Sequence, residues 1–336
     1  MRLRVHPMRP KDLKACVELH AAQPEQRRRY GALLEKLGSA WLKQIRSGGL
    51  ISSVLEDVDQ DPPQIVACGA SVFVTSELFK RLTTSPFAWL GPELVQRSLR
   101  NDPCILSQEQ IRAENSGRGL NLVVWDGLTK TVHPNDQALL DIEIMKAFVQ
   151  DHQGYRLSAM IAQPQEVKHI AATLNAGLSA LGPAGGPIGE LRRDLTELAI
   201  EPFVLGFDTA NCSSPPGTWL SAMFSSAVPR IYFRPAEQRL LLAAVRGLTD
   251  EKLADELTVS LSSVKKTWRV IYLRSASALP AEFSSVTNHG GESHRGKEKK
   301  QRLLAYLREH MEELRPVLPP ERIARRKRAS KLHQVT

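Results

Sequence analysis

The chain has few cysteines, and they are far apart. Cys16, Cys68, Cys104 and Cys212 include no Cys-x-x-Cys pair, and none of them has a histidine at zinc-ligand spacing. This spacing argues against a disulfide framework and against a structural metal site. We therefore predict four reduced, mostly buried thiols, with a redox sensor as the alternative.

Long apolar runs are also missing. No segment is apolar over the length that a bilayer requires, and the N-terminal MRLRVHPMRPKD has no apolar core of the kind found in secretion signals. We therefore predict a cytoplasmic protein with no membrane partner. A chain of 336 residues has room for two domains.

Positive charge is concentrated in the C-terminal third of the chain. From residue 230 onward there are 22 Lys and Arg against 12 Asp and Glu, whereas the preceding part holds 23 against 24. This asymmetry predicts a polyanionic partner whose binding weakens steeply with salt. For the last basic run, residues 322–331, a solvated tail and a nonspecific phosphate contact are equal alternatives.

Residues 247–268 have the apolar spacing of two short helices joined by a tight turn. Thr249 is expected to cap the first helix and Ser260 the second. Val259 is expected to fill the angle between them. The residues predicted to form the core of this unit are Glu237, Leu253, Ala254, Leu257, Val259, Val264 and Trp268.

The second helix, predicted over residues 261–275, leaves short hydroxyls and cations on its outer face. These side chains are Ser262, Ser263, Lys265, Lys266 and Arg269. Hydroxyls and cations suit phosphates and base edges, so the pattern indicates a DNA-binding helix-turn-helix. The alternative is a two-helix piece of any α domain with a solvated basic face.

Residues 233–274 resemble the LuxR-type (GerE-like) helix-turn-helix of bacterial transcription regulators. The similarity covers about an eighth of the chain. It is carried by Pro235, Glu237, Gly247, Leu248, Thr249, Leu253, Ala254, Leu257, Val259, Ser260, Val264 and Lys265. The resemblance implies binding in the major groove of double-stranded DNA, with Lys265, Lys266 and Arg269 at the family's principal contact positions.

Three residues depart from that family pattern: Ala236, Thr258 and Thr267. Thr258 replaces the usual glycine of the turn, and a β-branched residue is costly where the backbone needs a positive φ. We therefore expect either a slightly opened turn or recognition of an unusual sequence.

The predicted organisation places a linker at residues 211–229, the helix-turn-helix at 230–280, a loop at 281–296 and a helix with a basic tail at 297–336. The apolar stripe of that helix, Leu303, Leu304, Leu307 and Met311, predicts an intramolecular core, with a dimer seam as the alternative. A homodimer is expected because one recognition helix reads few bases. RNA polymerase is a further candidate partner, and any effector ligand is left open.

Residues 1–210 are α/β in character, with a mixed sheet covered by helices. Strands are predicted at residues 3–5 and 120–125, a strand or strand pair at 64–74, and helices at 136–151 and 165–180. The opening and the order of elements faintly resemble the GNAT acyltransferase fold. That family holds the acyl-CoA pyrophosphate on a glycine-rich loop after a central strand, whereas residues 126–135 here contain one glycine.

The GNAT-like resemblance therefore implies a sensor or scaffold that has lost acyl transfer. We predict no catalytic residue, no cofactor and no metal ligand: His133, His152 and His169 have no shared helical face, and Asp126 and Asp141 could act as acid or base only if folding joined them. Two competing functions are an acyl-CoA-dependent transferase with a basic helical module, and a module that docks a partner protein.

Overall fold

The computed structural model describes residues 1–84, 86–164, 167–181, 202–210, 214–283 and 292–320. The chain forms two compact units. The first, here called the sheet unit, comprises Met1–Gln153 and Leu157–Phe224. The second, the helical unit, comprises Gly154–Arg156 and Ser225–Thr336.

The sheet unit is built on one mixed sheet, whose described strands have the order β1-β2-β3-β4-β5-β7-β6. Among the described strands, β4–β5 is the one parallel pair. The strands are β1 (Leu3–His6), β2 (Leu50–Asp57), β3 (Gln64–Val74), β4 (Leu120–Thr129), β5 (Leu157–Ala162), β6 (Ser179–Leu181) and β7 (Val204–Asp208). The α/β class predicted for this part of the chain is confirmed.

Helices accompany the strands of this unit. They are α1 (Leu13–Ala22), α2 (Pro24–Tyr30), α3 (Leu37–Ser47), α4 (Ser76–Leu82), α5 (Leu90–Leu99), α6 (Gln108–Asn115), α7 (Pro134–His152), α8 (Val167–Asn175) and α9 (Trp219–Phe224). The main core packs Leu37, Trp41 and Leu94 from α3 and α5 against Val72 and Val123 of the sheet. These strand positions alternate with residues of the opposite face, as the strand period requires.

In the helical unit, the regular elements of the described residues are all helical. They are α10 (Pro235–Val245), α11 (Asp250–Leu257), α12 (Leu261–Ala278), α13 (Pro280–Phe283), α14 (Glu292–Glu309) and a 3-10 turn at Met311–Leu314. Leu303 and Leu307 of α14 are fully buried in the core formed by α10, α11 and α12. The apolar stripe of α14 is therefore part of the intramolecular core, as predicted.

Several predicted boundaries are wrong. Strand β4 continues to Thr129 because residues 126–129 pair with β3. The helix predicted over residues 165–180 ends at Asn175, and residues 179–181 pair with β7 instead. The predicted linker at 211–229 contains α9, whose Leu220 and Met223 side chains are fully buried.

Two cysteines are buried as predicted, Cys16 and Cys68, whereas Cys104 is only partly buried. Cys212, the basic run at 322–331, and most of the loop predicted at 281–296 lie outside the described residues. In the described part of the chain, no helix combines the length and the apolar character that a membrane crossing needs.

Candidate nucleic-acid interface

The turn that joins helices α11 and α12 contains one residue in the left-handed backbone conformation. Thr258 has φ 54° and ψ 48°. Its N–H donates to Asp255 O (3.2 Å), and the Val259 N–H donates to Ala254 O (2.9 Å), which is the hydrogen-bond pattern of a Schellman cap. The turn is therefore not opened by the threonine, which adopts a conformation that L-residues with a branched Cβ disfavour.

Both helices of the pair begin with the predicted caps. The Thr249 hydroxyl accepts from Lys252 N (3.4 Å), and the Ser260 hydroxyl accepts from Ser263 N (3.2 Å). The Ser260 oxygen also lies 2.9 Å from the Ser262 hydroxyl and 2.8 Å from the Ser263 hydroxyl. Three hydroxyls are thus gathered at the start of α12, where the helix dipole favours a negatively charged group.

The outer face of α12 is polar and solvent-exposed. Ser262, Ser263, Lys265, Lys266 and Arg269 are all exposed. None of the three cations forms a salt bridge with another described residue. Lys265 interacts electrostatically with Glu251 of α11, but all three side chains are solvent-exposed and therefore accessible to a partner.

The inner face of the pair is apolar and buried, but one residue predicted to belong to it does not. Leu253, Ala254, Val264 and Trp268 are buried in the core of the helical unit, and Leu257 packs against it partly buried. Val259 does not fill the angle between the helices, because its side chain is 45% exposed. The left-handed Thr258 directs the following residue outward, so the prediction for Val259 is wrong.

Two ionic contacts fix the bundle around α12. Glu237, the buried glutamate of α10, accepts from Arg274 Nε (2.9 Å) and from its own cap residue Arg234 N (2.7 Å). Asp250 Oδ1 accepts from the indole Nε1 of Trp268 (3.1 Å) and from Lys300 Nζ (2.7 Å). Arg274 therefore stabilises the bundle, whereas Lys265, Lys266 and Arg269 of the outer face are exposed.

Another glutamate in the helical unit was not singled out by the sequence. Glu313, 1% exposed, accepts from Arg230 N (2.7 Å) and Ile231 N (3.0 Å). Burial raises the pKa of this carboxyl, although its backbone hydrogen bonds act in the opposite direction. Through these hydrogen bonds, Glu313 connects the 3-10 turn Met311–Leu314 to the segment that precedes α10.

The sequence predicts no metal site at His133, His152 and His169, and the one group of possible metal ligands found among the described residues does not include them. A different trio comes together, His6, Asp12 and Glu56. Its carboxylates already pair with arginines: Arg4 binds Glu56, and Arg9 Nε lies 3.2 Å from Asp12 Oδ2. Although burial acts to raise the pKa of Glu56, hydrogen bonds from Arg4 and His6 lower it. The trio is therefore an ion-pair network, and two guanidinium groups oppose a bound cation.

Asp126, by contrast, lies in a buried polar cluster that the sequence did not reveal. Its carboxylate accepts from the Tyr30 hydroxyl (2.8 Å), and His20 Nε2 lies 3.2 Å from the same oxygen. Those partners lie about a hundred residues earlier in the chain, so only the fold brings them together.

No family model and no curated protein matches the chain. Two solved structures show low similarity. The C-terminal condensation domain of Ebony, in complex with beta-alanyl-dopamine, has a TM-score of 0.34 at 12% identity, over 62% of this chain and 100% of that chain. A mutant of KacT has a TM-score of 0.31 at 10% identity, over 62% of this chain and 96% of that chain. Both TM-scores are too low to establish a shared fold.

Proposed function

We propose that the protein is a DNA-binding transcription regulator of the LuxR type, which reads the major groove with helix α12. One observation carries the proposal: the outer face of α12 exposes Lys265, Lys266 and Arg269, while Val264 and Trp268 anchor the opposite face in the core. A helix held along one side and cationic along the other suits a groove lined by phosphates.

The start of α12 has a separate role in this proposal. The hydroxyls of Ser262 and Ser263 lie beside Ser260 at the positive end of the helix dipole. A DNA phosphate at this end would accept hydrogen bonds from them, which fixes the register of the helix on the duplex. Lys265, Lys266 and Arg269 follow within two turns, so they reach the adjacent phosphates and base edges.

A homodimer belongs to the same proposal, because two recognition helices on a symmetric site multiply the specificity of one. Size-exclusion chromatography with light scattering, with and without the bound duplex, measures this directly. Two chains on one palindromic duplex support it, and a single chain on the preferred site contradicts it.

The decisive experiment selects duplexes from a random-sequence library with the full chain and then measures affinity for the enriched site. We expect the double variant Lys265→Ala/Lys266→Ala to lose binding in a gel-shift titration while its circular dichroism spectrum is unchanged. Retained affinity, or a library that yields no preferred site, would overturn the proposal.

A charge-matched control separates a specific face from general positive charge. Arg239 on α10 and Arg308 on α14 are exposed and lie outside α12. The double variant Arg239→Ala/Arg308→Ala removes the same number of charges and should bind the enriched site within about twofold of the unaltered chain, because neither residue is on the reading face. A module that only docks a partner protein predicts no salt-dependent DNA binding from any of these chains.

For the sheet unit we propose a GNAT-like scaffold without acyl transfer. The strand order, with β4 and β5 as its parallel pair, supports the architecture. Helix α7, which follows β4, is unsuited to a pyrophosphate: Pro134 has no N–H, the His133 side chain already accepts from Asn135 N (3.3 Å), and Asp136 adds a carboxylate in the first turn.

The competing function, an acyl-CoA-dependent transferase, is tested by calorimetric titration of the full chain with acetyl-CoA. We expect no binding heat and no shift of the melting temperature. Saturable binding of acetyl-CoA would contradict the scaffold proposal. It would not bear on the DNA-binding proposal, which the gel-shift titration tests separately.

A further inference from the structure

Beyond its first turns, the outer face of α12 carries exposed apolar side chains. Val270 is 44% exposed and Leu273 is 73% exposed. Among the described residues of the helical unit, the other large apolar side chains with such exposure are Val228 and Val259, which lie outside the helices. Single apolar residues on a surface need no explanation, so the position of the α12 pair decides what it means.

The apolar pair shares its face with the cations of α12. One line along the helix, at spacings of four, three and four residues, contains Ser262, Lys266, Arg269 and Leu273. Val270 lies beside this line, one turn after Lys266, and the opposite face of the helix is buried in the core. From Ser262 to Leu273 the helix rises about 16 Å, which is roughly the length of five base pairs.

The charges on this face restrict what can cover it. Residues 261–278 contain no acidic side chain, whereas Lys265, Lys266 and Arg269 are exposed. A second copy placed on the same face would set cations against cations, which opposes association. An anionic lipid surface needs a broad apolar face, and that of α12 is buried in the core. The exposed face therefore fits a polyanion that presents apolar groups beside its charges.

Duplex DNA presents such groups in its major groove. Each thymine places its C5 methyl group there, and apolar side chains contact this methyl directly. Val270 and Leu273 have no hydrogen-bonding atom in their side chains, so they cannot read the polar edge of a base. Cytosine has no methyl group at this position, so it would leave the apolar pair without a contact.

We propose that Val270 and Leu273 give the C-terminal half of α12 a preference for thymine, through contacts with C5 methyl groups. The inference rests on the proposed function, because it requires α12 to lie in the major groove. The cations bind phosphates and base edges along the first turns, whereas the apolar pair reads methyl groups further along the helix. Each half-site of the enriched duplex should therefore contain thymine at one end.

The test uses the full chain and the enriched duplex, in which deoxyuridine replaces each thymine in turn. This replacement removes one methyl group and keeps every hydrogen-bonding atom of the base. We expect about fourfold weaker binding at one or more positions, because one methyl group loses its apolar contact. With Leu273→Ala or Val270→Ala, the loss at the position that the altered residue contacts should fall below about twofold. Both residues are exposed and alanine favours helix, so the circular dichroism spectrum should not change.

The variant Val259→Ala is the matched control, because Val259 is the same type of residue as Val270 with almost the same exposure, 45%, but precedes α12. It should keep the full response to deoxyuridine. Equal responses from the unaltered chain, the two α12 variants and this control contradict the inference. A change of oligomeric state caused by Leu273→Ala without DNA also contradicts it, since the face would then join two copies.

Failure of the proposed function gives a different result. In that case the library yields no preferred site, or the variant Lys265→Ala/Lys266→Ala keeps its affinity, and the inference fails with the function. A preferred site that depends on these lysines but does not respond to deoxyuridine leaves the proposed function intact and overturns the inference alone.

Discussion

Asp250 at the start of α11 accepts a hydrogen bond from the indole of Trp268 in α12, with 3.1 Å between Oδ1 and Nε1. The same oxygen lies 2.7 Å from Lys300 Nζ, and this ammonium lies 4.9 Å from the centre of the Trp268 ring. One carboxylate therefore connects three helices of the bundle, and it fixes the side chain that anchors the outer face of α12.

The variant Asp250→Ala should destabilise the helical unit by about 1–2 kcal/mol, because it leaves the Trp268 N–H without its partner. The Lys300 contact adds little to this figure, since both charged groups are partly exposed. The measurement is the urea midpoint of the helical unit, followed in the full chain by pulsed hydrogen exchange. Asp255→Ala, on an exposed position of the same helix, is the control and should leave the midpoint unchanged. Equal midpoints for both variants would show that the contact contributes nothing.

The variant Thr258→Gly should stabilise the helical unit by up to about 1 kcal/mol. Thr258 has a φ of 54°, which is strained for a residue with a branched side chain. Removing this strain should contribute about 1–2 kcal/mol, which exceeds the free-energy cost of the extra backbone entropy that glycine gives the unfolded chain. The same change at Thr267, inside α12, should destabilise the unit because glycine is a poor helix former. A loss of stability at both positions would contradict the strain assigned to Thr258.

The interior of the helix pair could be predicted because its signal is local. Val264 and Trp268 follow each other at helical spacing, so their shared burial is readable from the sequence. Val259 was misplaced because its direction depends on the φ of the preceding residue. The Asp250 contact with Lys300 could not be predicted, since fifty residues separate its partners.

The same distinction applies in the sheet unit. The sequence predicts a strand or strand pair over residues 64–74, and the structure has one strand, β3, with those bounds, because Gln64–Val74 is mostly apolar and includes β-branched residues. The sequence predicts a strand that ends at residue 125, which leaves Asp126 outside it and able to act as acid or base only if folding joins it to another group. Its place within β4 depends on pairing with β3, where the register shifts between Ala70 and Ser71, and the local sequence gives no sign of that pairing.

The stability of the helical unit should also depend on pH through Glu313. Burial raises the pKa of this carboxyl in the folded chain, so its contribution is fully present below its ordinary value of 4.5 and is lost as pH rises through the raised value. The variant Glu313→Gln keeps an acceptor oxygen for Arg230 N and Ile231 N but does not titrate. The difference in unfolding free energy, unaltered chain minus variant, should therefore fall as pH rises from 5 to 8. A difference that is constant or rises over this range would contradict a raised pKa.

The salt dependence of DNA binding provides a quantitative test of the outer face of α12. Each cation that neutralises a phosphate releases counterions and contributes about 0.9 to the slope of log affinity against log salt. Replacing Lys265, Lys266 and Arg269 singly by Ala should therefore lower the slope by about 1 for each residue that contacts a phosphate. A residue that reads a base instead should weaken the enriched site by about 1–3 kcal/mol and leave random-sequence binding nearly unchanged. Fluorescence anisotropy at several salt concentrations measures both quantities. Arg274, engaged by the buried Glu237, should not contribute to the slope. If all three single variants keep the slope and the affinity of the unaltered chain, α12 does not face the duplex.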